Sequence, residues 1–490
     1  MVTDAGSTAT PTDASPDINS RGQPLEVKLA RTVARQLERD ILASDLQVGS
    51  IFASENELRL RYGVSRAVLR EAIRLVEHNG LAVMRRGPYG GLVLRAPDAR
   101  PLTNAIVVYL AYAETTVEDL LAVRALLEPL AARLAARNLS EQHIAVLRTA
   151  LPEERGHGDI ATRSRDLFHL RLGQIGGNRV LSLFVDVLVQ LTERYAPLPG
   201  KNAIARLTAD SDHAHQKIAE AVIAGNAMLA EHRSLRHLDA MREWLLSTQQ
   251  DPIRSRPETL DPEAGREKLA ETIARRLMAD IAASGLAVGQ IYGSEPELQA
   301  RFDVSRAAFR EAIRLLEYHS VARMRRGPHG GLVVSRPDLS ASVDAMAVYL
   351  EYAQVAADEL REVRDVLELG ALEMLAPRFG DEALSEELHA AAKVASTTPG
   401  GEIAELSNDF HLRLAELTGN TVLALFLRIV LAVWERHSPS AGPQAPEISK
   451  AAAAVECIHG QILESILAGD LPLARHRMHR HLEALDAWWQ

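Results

Sequence analysis

Apolar residues at the start of the chain follow a helical period, and further along they change to the alternation of a hairpin. In the first predicted helix, over residues 26–43, they recur once per turn at Leu29, Val33, Leu37 and Ile41. Two shorter helices follow, each with a serine at its start, and a turn of about four residues containing Gly joins them. Two short apolar segments around a Gly-rich turn then indicate paired strands. The pattern predicts a winged helix-turn-helix.

The same pattern returns 240 residues later. Residues 63–94 match residues 303–334 at 21 of 32 positions without a gap. A copy of this length indicates two complete units fused in one chain, whereas solenoid repeats are shorter. We therefore expect one polypeptide to supply what a symmetric homodimer would supply to two DNA half-sites.

Composition and the repeat divide the chain into six segments. Residues 1–24 are polar and predict a disordered tail, and the proline-rich residues 247–264 predict a linker. Four folded domains alternate between winged helix-turn-helix and helical bundle: 25–98, 99–246, 265–338 and 339–490. The expected fold class is mainly α, with two winged helix-turn-helix domains, each followed by an all-helical effector-binding bundle. We expect the two halves to form a pseudo-twofold single-chain dimer.

The net charge of −10 argues against nucleic-acid binding until the charge is divided by segment. Residues 26–97 and 266–337 each carry 12 Lys and Arg against 8 Asp and Glu, so the remainder carries −18. Two basic islands on an acidic body are typical of two DNA-contacting modules on a scaffold.

Arginines and serines of the two islands are the candidate DNA contacts. A helix fits the major groove, where Arg grips guanine with two hydrogen bonds, and the helix N-terminus with its capping Ser binds phosphate. Arginines at a thin hairpin tip suit the minor groove. The candidates are Ser54, Ser65, Arg66, Arg70, Arg74, Arg85, Arg86 and Gly87 in the first copy, and Ser294, Ser305, Arg306, Arg310, Arg314, Arg325, Arg326 and Gly327 in the second.

Cysteine content and apolar runs indicate the compartment. The single cysteine, Cys457, fits a reducing, cytoplasmic environment, and we interpret it as a small buried hydrophobe. The N-terminus has neither a basic start nor an apolar core, so no signal peptide is predicted. Val180–Leu191 and Val422–Trp434 contain charges and are shorter than the ~20 residues of a membrane span. Both predict buried helices, and no membrane partner is expected.

The motif S-E-x-E-L, then G-V-S-R-x-x-x-R-E-A-I-R-x-L-E-x-x-G-L and a Gly-rich wing, resembles the GntR family of bacterial transcription factors. In the first copy it lies at Ser54–Leu58 and Gly63–Leu81. The segments Phe168–Leu181 and Phe410–Leu423 resemble the helical C-terminal domain of the FadR subfamily. The resemblance implies a regulator, most simply a repressor, whose binding to double-stranded operator DNA responds to a small carboxylate effector.

The resemblance also implies a divalent, zinc-like metal in one or both helical domains. Imidazoles from separate helices suit such an ion. The matching histidines are His169, His215 and His237, and His411, His459 and His481. The family aspartate one turn before the first histidine is replaced by Arg165 and Ser407.

Two arginines match a family position that faces the effector cavity. They are Arg124 and Arg364, and an Arg there would grip a carboxylate with two hydrogen bonds. Pairing with the glutamate four residues on, Glu128 or Glu368, is equally compatible with the spacing.

The sequence is also compatible with two other functions and with two oligomeric states. A histidine–metal hydrolase would use the same triads, but the chain has neither H-E-x-x-H nor another paired base and nucleophile. An interaction scaffold would have one or both DNA-binding heads degenerate. Gly63 of the first copy is Asp303 in the second, which predicts an imperfectly palindromic operator or a dominant half-site. A monomeric pseudodimer and a further homodimer are both compatible with the repeat.

Overall fold

A computed structural model of the protein divides into two compact units, 1–98 and 99–490. It describes residues 25–87, 90–113, 115–156, 163–195, 201–248, 266–284, 286–318, 321–325, 327, 330–335, 339–397, 403–437 and 445–486. The predicted tail, 1–24, and nearly all of the predicted linker, 247–264, lie outside these ranges. Within them, no helix has the length and apolarity that a membrane span requires.

The first unit is a winged helix-turn-helix, the first head. Its elements are α1 Leu25–Leu42, α2 Glu55–Tyr62, α3 Arg66–His78, β1 Ala82–Arg85 and β2 Gly91–Leu94. A reciprocal capping box of Ser54 and Glu57 starts α2, and Ser65 caps α3. The strands are antiparallel, with Ala82 opposite Leu94. These elements match the sequence prediction.

The second unit begins with a helical domain. Its helices are α4 Ala99–Tyr112, α5 Val117–Arg137, α6 Glu141–Gly156, α7 Arg163–Gly176, α8 Arg179–Tyr195, α9 Lys201–Ile223 and α10 Ala227–Thr248. The apolar run Val180–Leu191 lies inside α8, where most of its residues are buried, as predicted. The last helix, α10, extends to Thr248, two residues beyond the predicted boundary at 246.

The segment that repeats the first head follows, and we call it the second head. Its elements are α11 Arg266–Ala283, β3 Ile291–Gly293, α12 Glu295–Phe302, α13 Arg306–Tyr318, β4 Ala322–Arg325 and β5 Gly331–Val334. The strands form an antiparallel sheet in the order β3-β5-β4. Where β3 lies here, the first head has a single bridge between Ile51 and Val93. Ser294 and Glu297 form the same capping box as in the first head.

A second helical domain completes the chain. Its helices are α14 Leu339–Tyr352, α15 Ala357–Leu375, α16 Glu382–Thr397, α17 Ile403–Leu417, α18 Thr421–His437, α19 Ala445–Leu467 and α20 Leu471–Asp486, with a 3-10 turn at Ala376–Arg378. The second predicted apolar run, Val422–Trp434, lies inside α18 and is largely buried. Cys457 is exposed on α19 rather than buried, so the interpretation as a core residue was wrong. Its helix turns that position toward solvent, and the interpretation had rested on the residue type alone.

The two helical domains share one apolar core, to which α4, α5 and α8 contribute together with α14, α15 and α18. Phe184 of α8 stacks on Phe426 of α18, with ring centroids 4.0 Å apart and planes inclined by 13°. These phenylalanines occupy equivalent positions in the two copies. Contact between equivalent residues is typical of isologous pairing, in which one surface patch meets its own copy.

Hydrogen bonds cross between the domains in reciprocal pairs. Asn178 donates from Nδ2 to the backbone oxygen of Glu359 at 2.8 Å, and Asn420 donates from Nδ2 to that of Asp119 at 3.0 Å. The two asparagines correspond in the repeat, and so do the two acceptors. Each asparagine also accepts, through Oδ1, a backbone N–H in the first turn of its own helix. This dual role explains why an asparagine precedes α8 and α18 at the equivalent position of both copies.

Asp303 gives a test of backbone strain in the second head. It ends α12 with φ 49°, where Gly63 ends α2 with φ 63°. A residue with a Cβ is disfavoured in this region, so we expect Asp303→Gly to raise the free energy of unfolding by about 1 kcal/mol. Gly63→Asp should lower it by a similar amount. Urea denaturation measures both, and a stabilising Gly63→Asp would contradict the strain argument.

Candidate functional site

The predicted recognition helix of the first head exposes a row of arginines. The side chains of Arg66, Arg70 and Arg74 are 64%, 60% and 73% exposed. Val68 and Leu69 of the same helix are buried, because the apolar positions of α3 face the head core. The helix therefore presents cations on its solvent-exposed face.

A single glutamate holds the first two arginines of each row. Glu55 Oε1 lies 3.6 Å from Arg66 Nε and 3.0 Å from Arg70 Nε. In the second head Glu295 Oε1 lies 3.3 Å from Arg306 Nε and 3.1 Å from Arg310 Nε, and both arginines are largely exposed. The side chain of Arg314 and the whole of Arg326 lie outside the described residues.

Each hairpin wing is tied to the recognition helix of its own head. Glu77 accepts the backbone N–H of Met84 at 2.7 Å, and Glu317 accepts that of Met324 at 2.9 Å. At the tips Gly87 and Gly327 have φ of 120° and 115°, a conformation that favours glycine. Beside them Arg85, Arg86 and Arg325 are exposed. The arginines that the structure describes in the two hairpins therefore lie exposed close to the hairpin tips.

Three histidines converge in each helical domain. The first set is His169, His215 and His237, and the second is His411, His459 and His481. Each set is buried, and one ring nitrogen from each member lies within 4.8 Å of the others. The Nε2 atoms of His215 and His237 are 3.2 Å apart. The three histidines predicted as metal ligands therefore lie close together in both copies.

A buried arginine and glutamate stand behind each triad. Arg124 pairs with Glu128 through Nε, and Glu128 Oε2 lies 2.6 Å from His169 Nδ1. Arg124 and Glu128 are almost completely buried. A carboxylate on Nδ1 leaves Nε2 of the imidazole to face a metal, an arrangement common behind metal-binding histidines.

The second copy repeats this chain of contacts. Arg364 Nε lies 2.6 Å from Glu368 Oε1, and Glu368 also pairs with His411. Both arginines predicted to face the effector thus also make the pairing that their sequence spacing left open. Sequence reasoning missed the orienting role of the glutamates, although the R-x-x-L-E spacing in both copies marked them.

The buried charges set the protonation of the sites. Burial alone would raise the pKa of Glu128, but Arg124 and His169 lower it to about 2, and Glu368 has the same value beside His411 and Arg364. Burial lowers the pKa of His237 and His481 to about 3 and also lowers that of His459. Neutral imidazole is the form that binds a metal.

The donor set fits a divalent ion of zinc type. Zn–N bonds of about 2.0–2.1 Å in a tetrahedral site place ligand nitrogens roughly 3.3 Å apart. The Nε2 atom of His481 lies 3.1 Å from that of His411 and 3.0 Å from that of His459, close to this spacing. Each triad would hold the ion, and the glutamate behind it would orient one ligand. The side chains at Arg165 and Ser407 lie outside the described residues.

The two arginine sites differ in what lies next to them. In the second domain Trp434 stacks on Arg364, whose guanidinium carbon lies 4.9 Å from the ring centroid. The position of Trp434 in the first domain is occupied by Thr192, a much smaller residue. The second arginine therefore has an aromatic side chain against it, at a position where the first domain has a threonine.

Metal binding to the triads can be counted. After chelator treatment, we expect the full chain to bind two Zn²⁺ ions, and zinc at 100 times Kd to raise the free energy of unfolding by about 2.7 kcal/mol per site. His237→Gln or His481→Gln should reduce the stoichiometry to one. His389→Gln, at an exposed histidine outside the triads, is the control. Isothermal titration calorimetry that found unchanged stoichiometry in the triad variants would contradict the assignment.

Two family models match the chain. The FCD domain matches residues 119–240 and 359–484, which are the parts of the helical domains that hold the triads. The model of bacterial regulatory proteins, gntR family, matches residues 29–88, the first head.

Individual relatives are similar to about half of the chain. The HTH-type transcriptional regulator LutR of Bacillus subtilis is 28% identical over 212 residues, which are 41% of this chain and 94% of LutR. The transcriptional repressor NanR of Cronobacter sakazakii is 26% identical, covering 46% of this chain and 86% of NanR. The Glc operon transcriptional activator of Escherichia coli K12 is 26% identical, covering 44% and 89%. The chain therefore belongs to the GntR family, which consists of transcription regulators rather than enzymes, and it carries two FCD domains.

Proposed function

We propose that the protein is a ligand-responsive regulator whose two heads bind adjacent half-sites of one DNA operator. The observation that carries this proposal is the row of exposed arginines on an N-capped helix, which is present in both heads. Arginine at such a helix reads guanine in the major groove, and the capped N-terminus positions the phosphate. On this reading the second head is also a winged helix-turn-helix.

The two halves act, in this proposal, as a single-chain counterpart of a symmetric dimer. The Phe184–Phe426 stack and the reciprocal asparagine bonds support a pseudo-twofold relation between the helical domains. A dimeric reader matches the symmetry of a palindromic operator. Fusion of the halves supplies that symmetry within one molecule.

A small carboxylate is the proposed effector, and a divalent metal held by the histidine triad would be part of its site. The metal would supply a Lewis-acidic point for a carboxylate or hydroxyl oxygen. Arg124 and Arg364 supply the fixed positive charge beside it. The helices α5 and α15, which carry these arginines, are also part of the core shared by the two domains.

Effector binding would be transmitted to the heads through α4. The helix α4 follows the first head directly along the chain, and α11 of the second head lies against α4. A ligand shifts a regulator only when it binds two arrangements with different affinity. We propose that the effector changes the position of α4 and thereby the spacing of the heads.

Repression is the proposed output, since two heads on one operator block access to the DNA between them. Relatives of the chain include one named a repressor and one named an activator. A reporter gene downstream of the operator, assayed with and without the protein, decides between these outputs. Genomic footprinting with the purified chain, which is also needed to identify the operator, would show whether one half-site is dominant.

The recognition arginines give the direct test of DNA binding. We expect Arg66→Ala to weaken operator binding by about 1–3 kcal/mol, because a bidentate base contact is lost. Arg306→Ala should weaken it less, because Asp303 places a negative charge beside the second recognition helix. The double variant should lose sequence preference. Fluorescence anisotropy at two salt concentrations separates base contacts from phosphate contacts.

Arg148→Ala is the matched control for the loss of one charge, since Arg148 is exposed on α6 of the first helical domain and belongs to neither head. It should leave the affinity unchanged. If the double variant retained full affinity for the operator, the DNA-reading role of these helices would be wrong. A scaffold with degenerate heads would instead show no preference for any duplex even in the native chain.

The effector sites are expected to differ in occupancy, because Trp434 covers Arg364 and the equivalent position in the first domain holds the smaller Thr192. Calorimetric titration of the metal-loaded chain with small hydroxy acids and sugar acids should find one carboxylate per chain. Trp434→Thr should add a second equivalent, and Thr192→Trp should remove the first. Unchanged zinc stoichiometry is the control for folding. Two equivalents in the native chain would contradict the proposed difference.

A further inference from the structure

A leucine of the first helical domain fills a hole in the second. Gly370 is buried on α15, and Leu126 of α5 lies directly over it. A Cβ atom added at Gly370 would lie 2.4 Å from Leu126 Cδ1 and 2.8 Å from Cδ2. Non-bonded carbons prefer about 3.5–4.0 Å, so a side chain at this position requires Leu126 to move.

The equivalent positions carry different residues. In the repeat, Leu130 corresponds to Gly370, and Val366 corresponds to Leu126. Leu130 belongs to the shared core, and Leu126 and Val366 pack against it. The first domain thus presents two leucines at this place, and the second presents a valine and a glycine.

These residues make like-with-like pairing unfavourable. Two first domains joined by the same face would place Leu126 against a leucine at 130, and such overpacking is destabilising. Two second domains would place Val366 over Gly370 and leave a cavity, which is also destabilising. Only the unlike pair has one large and one small residue at the contact.

A second unlike contact lies at the start of α8. Arg179 donates to the backbone oxygens of Ala353 and Gln354, the latter at 2.8 Å, and pairs with Glu359 at 2.5 Å. The acceptors lie just after α14, where a cation is favoured by the helix dipole. The guanidinium of the first domain therefore caps a helix of the second.

The equivalent contact on the other side uses different chemistry. Thr421 corresponds to Arg179, and its Oγ1 lies 2.8 Å from Oγ1 of Thr115. Val355 of the second domain corresponds to Thr115. Two second domains would thus place Thr421 against a valine and lose this hydrogen bond.

From these contacts we infer that the interface selects unlike halves: a first helical domain pairs with a second one, in preference to its own copy. The phenylalanine stack and the asparagine hydrogen bonds would form in a first–first, a second–second or a first–second pair. They therefore contribute to affinity but do not distinguish between these pairs. The Leu126–Gly370 contact and the Thr421–Thr115 hydrogen bond form only in the unlike pair and supply specificity. The partner that this surface fits is the other half of the chain, whatever the heads bind.

Substitution at the hole tests the inference in the full chain. Gly370→Leu makes the second domain resemble the first, and we expect the thermal midpoint to fall by about 2–6 °C. Replacing a helical glycine would by itself stabilise α15, so a fall reports the steric contact. Gly460→Leu is the matched control, because an added Cβ there meets nothing within 4 Å inside α19. It should not lower the midpoint.

Leu126→Ala combined with Gly370→Leu exchanges the large and small residues across the interface. The double variant should recover much of the midpoint lost in Gly370→Leu. If Gly370→Leu is as harmless as the Gly460 control, or if the double variant loses the sum of the two single effects, the Leu126–Gly370 contact carries no specificity.

Cleavage of the assembled chain gives a second measurement that does not depend on the folding of a variant. A protease site inserted between Thr248 and Arg266 separates the halves after folding. Native mass spectrometry of the cleaved protein, after dilution and re-equilibration, should find pairs of a first half with a second half. A random mixture of the three possible pairs would overturn the inference.

Discussion

The apolar surface that the two helical domains bury against each other is the constraint on which the other features depend. The helices α8 and α18 meet at the stacked phenylalanines, and α5 and α15 lie in the same core. The latter two helices carry the arginine and glutamate behind each histidine triad. The helix α4, which follows the first head along the chain and contacts α11 of the second head, belongs to this core as well. A structural change at one triad therefore affects helices that directly contact the other helical domain.

Most of the architecture was predictable because the same sequence pattern occurs twice in the chain. The serine caps of α2 and α12, the glycine turns and the arginine rows follow from local rules that do not depend on distant contacts. The triads were predictable from their spacing in two copies and from the family resemblance. The role of the glutamates that orient the histidines was harder to predict, since an arginine and a glutamate four residues apart are equally typical of an exposed ion pair on a helix. Only the fold shows that Glu128 is buried against His169.

The features that the sequence did not predict depend on contacts between residues far apart in the chain. The cover of Trp434 on Arg364, the seat of Leu126 on Gly370 and the exposure of Cys457 all depend on helix rotation and crossing. A hydrophobic period gives the buried side of a helix but not its neighbour. Buried ion pairs such as Arg124–Glu128 carry a desolvation cost, so we attribute their presence in both copies to the positioning of a histidine rather than to stability.

The continuous core across α8 and α18 has a consequence for how such a regulator responds to its own abundance. Subunits that associate from solution come apart when few copies are present, so the active fraction of an ordinary dimer depends on dosage. Here the tether keeps each half at a high effective concentration of the other. In the proposed function, the paired form would therefore persist at low copy number, and operator occupancy would rise in proportion to copy number rather than with its square.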